Sequence, residues 1–349
     1  MNDESVKDIV CGYDSLYKAT QKCKRGVMWK DSTAGFVKND LINCFLLKDD
    51  ILKGSYKIGK YSVFRITEPK PRVIVSTRIR DRVFQRSLCD NYLTKAISKS
   101  FIYDNAACQE KKGTDFARKR LKCLLQRHIR KHGLIGGALK CDITNYFGST
   151  SHEVAEGAVV KRVGNKWVVC ETVRIINSFT QGEDPDVGMG LGSQITQLVE
   201  LAVLDDLDHF IKEKLHIKYY IRYMDDFILI HEDIEYLKYC RKQIEAKLAA
   251  LGLVLSKKKT QISRIKQPIH FLGFSFRPTE SGKIVMKLLP NKVVKERRKL
   301  KKLVALARQG VMTRYQVDEC FKSWKAHASK GNCYKLIQNM TAYYNDLWR

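Results

Sequence analysis

The sequence of 349 residues lacks the features of a membrane or exported protein. No apolar run approaches the roughly 18 residues that a membrane-spanning helix needs. The acidic start, Met1–Asp8, is unlike the basic and then apolar segments of a secretory signal. None of the 11 cysteines forms a C-x-x-C pair, which argues against a disulfide framework and a structural zinc site. We therefore expect a soluble protein with reduced thiols that neither spans a membrane nor is exported.

Acidic residues are scarce beside basic ones. Asp and Glu number 37 against 64 Lys and Arg, which gives a formal net charge of +27. Because 44% of the residues are apolar and only 6 are prolines, the chain is not a disordered basic tail. Its charge must lie on a folded surface, which favours a polyanionic partner, either nucleic acid or an anionic membrane. The length suggests about two folding units.

Shifts in pattern divide the chain into three parts. Residues 1–130 mix helical and extended stretches with many cations, and residues 131–280 hold short apolar strands. Residues 281–349 are helical in pattern, with 16 Lys and Arg against 4 Asp and Glu after Ser281. Within this last part, Asn291–Val304 has the pattern of a basic amphipathic helix, which is ordinarily a solvated helix face.

Two prolines mark an extended segment in the first part. Pro69 and Pro71 exclude a helix, and the β-prone run 73–75 follows them. Lys70 and Arg72 are therefore expected on a stiff turn beside a strand. Residues 78–89 then have a helical pattern with cations on one side.

Two adjacent aspartates lie between β-prone runs in Tyr220–Ile230, a pattern that predicts strand, tight turn and strand. Asp225 and Asp226 would then lie at the tip of the hairpin. Paired carboxylates repel each other unless a cation lies between them, so the arrangement suits a metal site. An ordinary structural turn is the alternative, because a short motif of this kind often occurs without function.

A third aspartate, Asp142, ends the apolar run that begins at Gly137. A lone Asp at such a place is usually a helix cap or turn residue. If the two strands lie side by side, however, three carboxylates could hold two Mg²⁺ ions about 4 Å apart, the geometry of in-line phosphoryl displacement. One ion would lower the pKa of an attacking hydroxyl, and the other would stabilise a leaving pyrophosphate.

These segments together resemble the catalytic core of reverse transcriptases. Tyr223-Met-Asp-Asp226 follows Asp142-Ile-Thr-Asn-Tyr-Phe147 by some eighty residues, as in that family. Further segments agree in order: Glu68–Arg72 with Asp81 and Arg82 resembles the fingers, Gly188–Gln197 the template-grasping loop, Leu251–Thr260 the lysine-bearing motif, and Phe271–Phe274 the primer grip. The resemblance covers residues from about 60 to 280.

The resemblance implies an α+β right-hand polymerase fold. Fingers with an N-terminal extension would occupy residues 1–130, and a palm with an antiparallel sheet would occupy residues 131–280. A basic helical thumb would occupy residues 281–349. The function implied is RNA-directed DNA synthesis from deoxynucleoside triphosphates by two-metal nucleotidyl transfer. We expect no ribonuclease H, integrase or endonuclease module within these residues.

The resemblance also assigns roles near the reacting atoms. Asp142, Asp225 and Asp226 would hold two Mg²⁺ ions, with Mn²⁺ as an alternative, and Lys259 would protonate the pyrophosphate, although Lys257 and Lys258 are close alternatives. Arg72 and Lys70 would clamp the triphosphate, with Arg65 as a weaker alternative to Lys70. The nucleotide would also contact Phe147, as a steric gate against the ribose 2′-hydroxyl, and Leu191 with Gly192. Solvated surface cations and a buried core phenylalanine are the structural alternatives.

Contacts with nucleic acid are implied at three further places. Glycines of the loop would let its backbone approach a nucleic acid closely, and basic residues of the thumb would contact the phosphates of an RNA–DNA duplex. The residues are Gly188, Gly190 and Gln197 in the loop, Phe271, Leu272 and Gly273 in the primer grip, and Lys295, Arg297, Arg298 and Lys301 in the thumb.

Finer features resemble one branch of the bacterial and phage group II intron-like lineage. Leu191 stands where most reverse transcriptases have glutamine, and with Gln197, the 68–72 segment and Ser323–His327 it resembles enzymes of diversity-generating retroelements. Those enzymes copy a template RNA with frequent errors at adenines and work with a small basic accessory protein. Thr196 departs from the serine usual in that group.

Other functions remain open from the sequence. Phage-defence reverse transcriptases, which act with a structured non-coding RNA, have similar cores. A non-catalytic RNA-binding scaffold is the alternative from another class, and a metal-dependent nuclease is a third. Either role of a reverse transcriptase of this lineage would place the protein in the cytoplasm of a bacterial or phage-infected cell.

Overall fold

The computed structural model describes residues 3–67, 71–179 and 184–349. Lys70, with Glu68 and Pro69, lies outside the described residues. All 11 cysteines are free thiols, as predicted. No helix in the described part of the chain is both long and apolar enough to cross a bilayer.

The N-terminal part is mostly helical, with one small sheet. Residue 132 ends the last helix of this part. The elements in chain order are α1 (Asp3–Cys11), α2 (Tyr13–Cys23), α3 (Asp31–Lys38), α4 (Asp40–Leu52), β1 (Ser62–Ile66), β2 (Arg72–Ser76), α5 (Ile79–Leu88), a π-helical turn (Cys89–Leu93), α6 (Thr94–Ser98) and α7 (Thr114–His132).

The middle of the chain alternates strands with helices. Its elements are β3 (Gly137–Asp142), α8 (Tyr146–Ser149), α9 (His152–Arg162), α10 (Lys166–Asn177), α11 (Gln194–Val203), α12 (Asp205–His209), a second π-helical turn (Phe210–Lys214), β4 (Tyr219–Tyr223), β5 (Asp226–His231), α13 (Ile234–Ala249), β6 (Gln261–Arg264), β7 (Ile269–Phe271) and β8 (Phe274–Pro278). The strand, turn and strand predicted around Asp225 are therefore present.

The C-terminal part begins with a strand and continues as three helices: β9 (Ile284–Leu288), α14 (Pro290–Arg308), α15 (Arg314–Ala328) and α16 (Tyr334–Asp346). Pro290 occupies the first turn of α14, where its missing N–H costs nothing. The three helices share a small apolar core that includes Leu300, Phe321 and Tyr344.

The central sheet is antiparallel, in the order β4-β5-β3-β6. Successive side chains of a strand point to opposite faces. One face, with Leu139 and Phe227, packs on helices such as α11 and α13, and the other, with Ile221 and Ile228, packs on α7 and the second sheet. Because both faces are buried along β3, β4 and β5, these three strands are mostly apolar in sequence, whereas the edge strand β6 is polar and partly exposed.

A second antiparallel sheet, β7-β8-β9, links the middle part to the C-terminal helices. The turn between β8 and β9 lies at residues 279–283, where the sequence shifts to a helical pattern. Strand β9 lies after the predicted palm–thumb boundary at residue 280, but it pairs in a sheet whose other two strands lie before that boundary. Three phenylalanines of this sheet, Phe271, Phe274 and Phe276, lie in the same core cluster as Ile221 and Ile228 of the central sheet.

The small N-terminal sheet is tied to the glycine-rich loop. Strands β1 and β2 pair antiparallel, and the Val75 N–H donates a hydrogen bond to the Leu191 carbonyl at 3.0 Å. A Cβ on Gly190 would lie 2.4 Å from the Phe179 ring, and Gly192 has a φ of +133°. Packing within the protein therefore already requires glycine at both positions.

A buried ion pair lies behind the aspartate hairpin. Arg222 and Asp208 are both fully buried, with nitrogen–oxygen distances of 2.6 and 2.7 Å. The Tyr220 hydroxyl donates to the same carboxylate at 2.6 Å. Arg222 also donates to the carbonyls of Leu201 and Met224, both at 3.2 Å. The guanidinium thus joins α11, α12 and the hairpin turn.

Removing one partner of this pair should destabilise the fold strongly. Arg222→Met leaves Asp208 buried without a cation, at an expected cost of about 3–5 kcal/mol in unfolding free energy. The double variant Asp208→Asn with Arg222→Met should cost less than the sum of the two single changes. Urea unfolding of the four proteins measures these costs, and strictly additive costs would contradict the pairing.

Candidate active site

The three aspartates meet at one end of the central sheet. In the register of β3 and β5, Asp142 lies opposite Asp226. Asp225 lies in the turn between β4 and β5, directly after Met224, which has a left-handed φ of +56°. The Met224 carbonyl accepts a hydrogen bond from Arg222 at 3.2 Å. The sheet register and this supported turn therefore place the three aspartates at the same end of the sheet.

Burial and mutual repulsion disfavour the charged forms of these carboxylates. The pKa of Asp225 is raised by burial and by the nearby charge of Asp142, and the positive charges of Lys259 and Arg72 offset part of the shift. The pKa of Asp226 is raised to about 7, mainly by burial, with further contributions from Asp142 and Asp225. Both aspartates therefore lie where burial and the neighbouring carboxylates make a negative charge costly.

Two lysines approach the aspartates. The Lys259 ammonium donates to Asp142 Oδ1 at 2.5 Å, and Lys140 lies 3.5 Å from Asp226 Oδ1. The segment that carries Lys259 is held beside β3, because the Ser256 N–H donates to the Asp142 carbonyl at 2.8 Å. Of the three consecutive lysines predicted as alternatives, Lys259 is the one paired with Asp142.

The carboxylate oxygens of the three aspartates are of a kind that binds a divalent cation. Among the described residues, however, no group of three His, Cys, Asp or Glu side chains is arranged to hold one ion. Asp226 Oδ1 is buried and accepts no hydrogen bond from the described part of the chain. Carboxylate oxygens are the preferred ligands of Mg²⁺. An added cation would place more positive charge beside Asp225 and Asp226, and it would compete with Lys259 for Asp142. Metal binding by these aspartates stays a prediction.

The expected nucleotide-binding residues surround this end of the sheet. Arg72 is exposed on β2, and its positive charge offsets part of the rise in the pKa of Asp225, so the two side chains are close enough to interact electrostatically. Phe147 is half-buried on α8, and its carbonyl accepts from the Met189 N–H at 2.6 Å. Leu191 is half-buried in the loop bonded to β2. Their contact with a nucleotide stays a prediction.

The glycine-rich loop leads into α11. Gly188 has a φ of +107°, and its N–H donates to the Thr150 carbonyl at 2.9 Å. Thr196, which departs from the serine expected at this position, is buried, and its hydroxyl donates to the Gly190 carbonyl at 2.8 Å. The Gln197 side chain is half-buried and accepts from Cys108 Sγ at 3.4 Å. This part of the loop is held by the protein itself.

The remaining expected nucleic-acid contacts lie on the second sheet and on α14. Phe271 is buried, and Leu272 and Gly273 form the turn after it with left-handed φ values of +45° and +85°. On α14 the expected duplex-binding residues are exposed, and Arg297 also lies over the Tyr343 ring at 5.4 Å; these residues are Lys295, Arg297, Arg298 and Lys301.

Sequence reasoning missed several charged residues that support the site. Lys140 lies two residues before Asp142 in a strand, a spacing that places both on one face and could have identified it. Arg222 was a charge within an apolar strand, but its partner Asp208 is 14 residues away and gave no signal. Glu200 is fully buried beside Thr150, and burial raises its pKa to about 8.

Similarity to one solved structure supports the polymerase fold. The telomerase from Candida albicans, in complex with a fragment of telomeric RNA, has a TM-score of 0.50 and 12% identity over 90% of this chain and 65% of that one. Apo telomerase from Candida tropicalis has a TM-score of 0.49 and 12% identity over 63% of this chain and 47% of that one. The chain thus spans between about half and two thirds of the length of these telomerases.

A family model gives the assignment. The model described as reverse transcriptase (RNA-dependent DNA polymerase) matches residues 60–276, more than half of the chain. No curated protein shows a significant sequence match. The matched region contains all three aspartates, Lys259 and the glycine-rich loop. The chain therefore belongs to the reverse transcriptase family of RNA-dependent DNA polymerases.

Proposed function

We propose that the protein copies a template RNA into complementary DNA, with Asp142, Asp225 and Asp226 as its catalytic metal ligands. The observation that carries the proposal is the register of the central sheet, which sets Asp142 opposite Asp226 with Asp225 in the adjoining turn. A non-catalytic RNA-binding scaffold would not need three carboxylates at a place where burial and repulsion disfavour them.

The residues of the chain divide the work by position. Reverse transcriptases generally use divalent metal ions, which activate the attacking hydroxyl and stabilise the negative charge on the phosphates. The aspartates would hold these ions, Mg²⁺ or Mn²⁺. Arg72, exposed on β2 and close enough to Asp225 to affect its pKa, would bind the triphosphate together with Lys70. Lys259, already beside Asp142, would give its proton to the pyrophosphate as it leaves.

Primer, template and duplex would lie along the basic surface beside these aspartates. The turn at Leu272 and Gly273 would contact the primer, and the loop from Gly188 to Gln197 would contact the template. The exposed cations of α14 would contact duplex phosphates without reading sequence. The large positive charge of the remaining surface suits a structured non-coding RNA as a further partner.

The biological role that we propose is copying with frequent errors in a diversity-generating retroelement. The support is Leu191, an apolar residue in the loop joined to β2, where most reverse transcriptases have glutamine. An apolar side chain offers no hydrogen bond to the incoming nucleotide and so contributes less discrimination between bases. A small basic accessory protein is the partner expected in that role. Phage defence remains the alternative role.

The first prediction from the proposed function concerns Asp225→Asn. Loss of this carboxylate should raise the activation free energy of primer extension on an RNA template by about 4 kcal/mol, which lowers the rate about a thousandfold. The affinity for the duplex should stay nearly unchanged. Asp346→Asn is the matched control, because Asp346 is exposed at the C-terminal end of α16. Extension by Asp225→Asn at the wild-type rate would contradict the proposal, and RNA cleavage without extension by the wild type would favour a nuclease.

The second prediction concerns Leu191→Gln. A new hydrogen bond of about 1 kcal/mol to the correct nucleotide should lower the misincorporation rate roughly fivefold. Leu191→Met is the control, because it keeps an apolar side chain of similar volume. Sequencing of the DNA products from the three proteins measures the error spectra. Equal spectra for the wild type and Leu191→Gln would refute the role given to Leu191.

A further inference from the structure

The turn between β7 and β8 is held from outside the sheet. Leu272 is a non-glycine residue with a left-handed backbone, a conformation that persists where surrounding contacts support it. Its carbonyl accepts a hydrogen bond from Arg118 Nη1 at 3.2 Å. The next carbonyl, of Gly273, accepts from the N–H of Leu289, the residue just before α14, at 3.3 Å.

Arg118 is committed to this turn. It lies on α7, its side chain is only 4% exposed, and its guanidinium lies 4.9 Å from the centre of the Phe274 ring. Its second amino group donates to the Thr114 hydroxyl at 3.2 Å and is paired with the Asp115 carboxylate. A planar guanidinium with these partners fixes both the position and the orientation of the Leu272 carbonyl.

Asp115 carries the connection into the C-terminal helices. Its other carboxylate oxygen accepts from Lys330 at 2.7 Å, and Lys330 lies two residues after the end of α15. The segment after Lys330 is bonded to β9, since the Asn332 N–H donates to the Met286 carbonyl at 2.6 Å. Lys330, Asp115, Arg118 and the Leu272 carbonyl thus form a continuous chain of polar contacts, which we call the grip–thumb chain.

We propose that Arg118, Asp115 and Lys330 are positioning residues that couple the primer-binding turn to the helices contacting the duplex. This inference rests on the proposed function. When the thumb helices hold a duplex, the grip–thumb chain would keep the turn at Leu272 in place for the 3′ end of the primer. Loss of the chain should therefore weaken the hold on the primer and leave the triphosphate site on β2 unaffected.

The test uses Lys330→Met and Asp115→Asn, separately and together. Both side chains are about half exposed, so the fold should tolerate the changes. Each single change should raise the KM for primer–template roughly threefold, as for loss of a partly exposed ion pair, and shorten the products made in one binding event. The KM for deoxynucleoside triphosphate should not change. Lys330→Met should add little in the Asp115→Asn background.

A matched control separates the chain from general loss of charge. Lys322→Met removes one cation from α15 and breaks an exposed pair with Glu319, 2.8 Å apart, that does not reach the turn. It should leave product length and both KM values as in the wild type. Arg118→Lys keeps the charge but loses the planar contacts, so it should resemble Lys330→Met or be more severe.

Two results would overturn the inference: equal effects of Lys330→Met and Lys322→Met, or additive effects of Lys330→Met and Asp115→Asn. Failure of the proposed function is distinguishable, because the wild type would then extend no primer on an RNA template. In that event, the affinity of each variant for primer–template duplex, measured by fluorescence anisotropy, still decides whether the grip–thumb chain affects binding.

Discussion

The buried pair of Arg222 and Asp208 is the interaction on which the active site depends. Asp225 lies in the turn next to Asp226, the residue opposite Asp142, and this turn has a left-handed backbone at Met224. The guanidinium holds the carbonyl of that residue and is itself neutralised by Asp208 in a fully buried setting. Since an unpaired charge there would be costly, the pair fixes the hairpin relative to α11 and α12.

At the end of the same sheet where the three aspartates lie, the charges are not balanced in this way. There, carboxylates are gathered at a buried place and only partly neutralised by Lys140 and Lys259. The pKa values of Asp225 and Asp226 are raised as a result, and one oxygen of Asp226 has no hydrogen-bond partner in the described part of the chain. The fold thus neutralises the charge that supports the turn and leaves the charge of these aspartates only partly neutralised.

Local patterns in the sequence predicted the strands and the hairpin, because strand runs and a tight turn are local properties. The helix predicted at 291–304 is present and extends to Arg308. What the sequence could not reveal is long-range pairing: Arg118 reaches Leu272 across 154 residues, and Lys330 reaches Asp115 across 215. The close packing of Gly190 against Phe179 is long-range as well, and the sequence contains no signal for it. The only role predicted for this glycine is therefore contact with nucleic acid.

The central claim is that the under-neutralised carboxylates hold divalent cations, and metal uptake tests it most directly. Mn²⁺ binding can be followed by electron paramagnetic resonance of the free ion, with the same RNA–DNA duplex and a non-reactive nucleotide added to the wild type and Asp225→Asn. The account predicts that the wild-type complex binds more Mn²⁺, by up to about two ions. Equal uptake by the two proteins would contradict it.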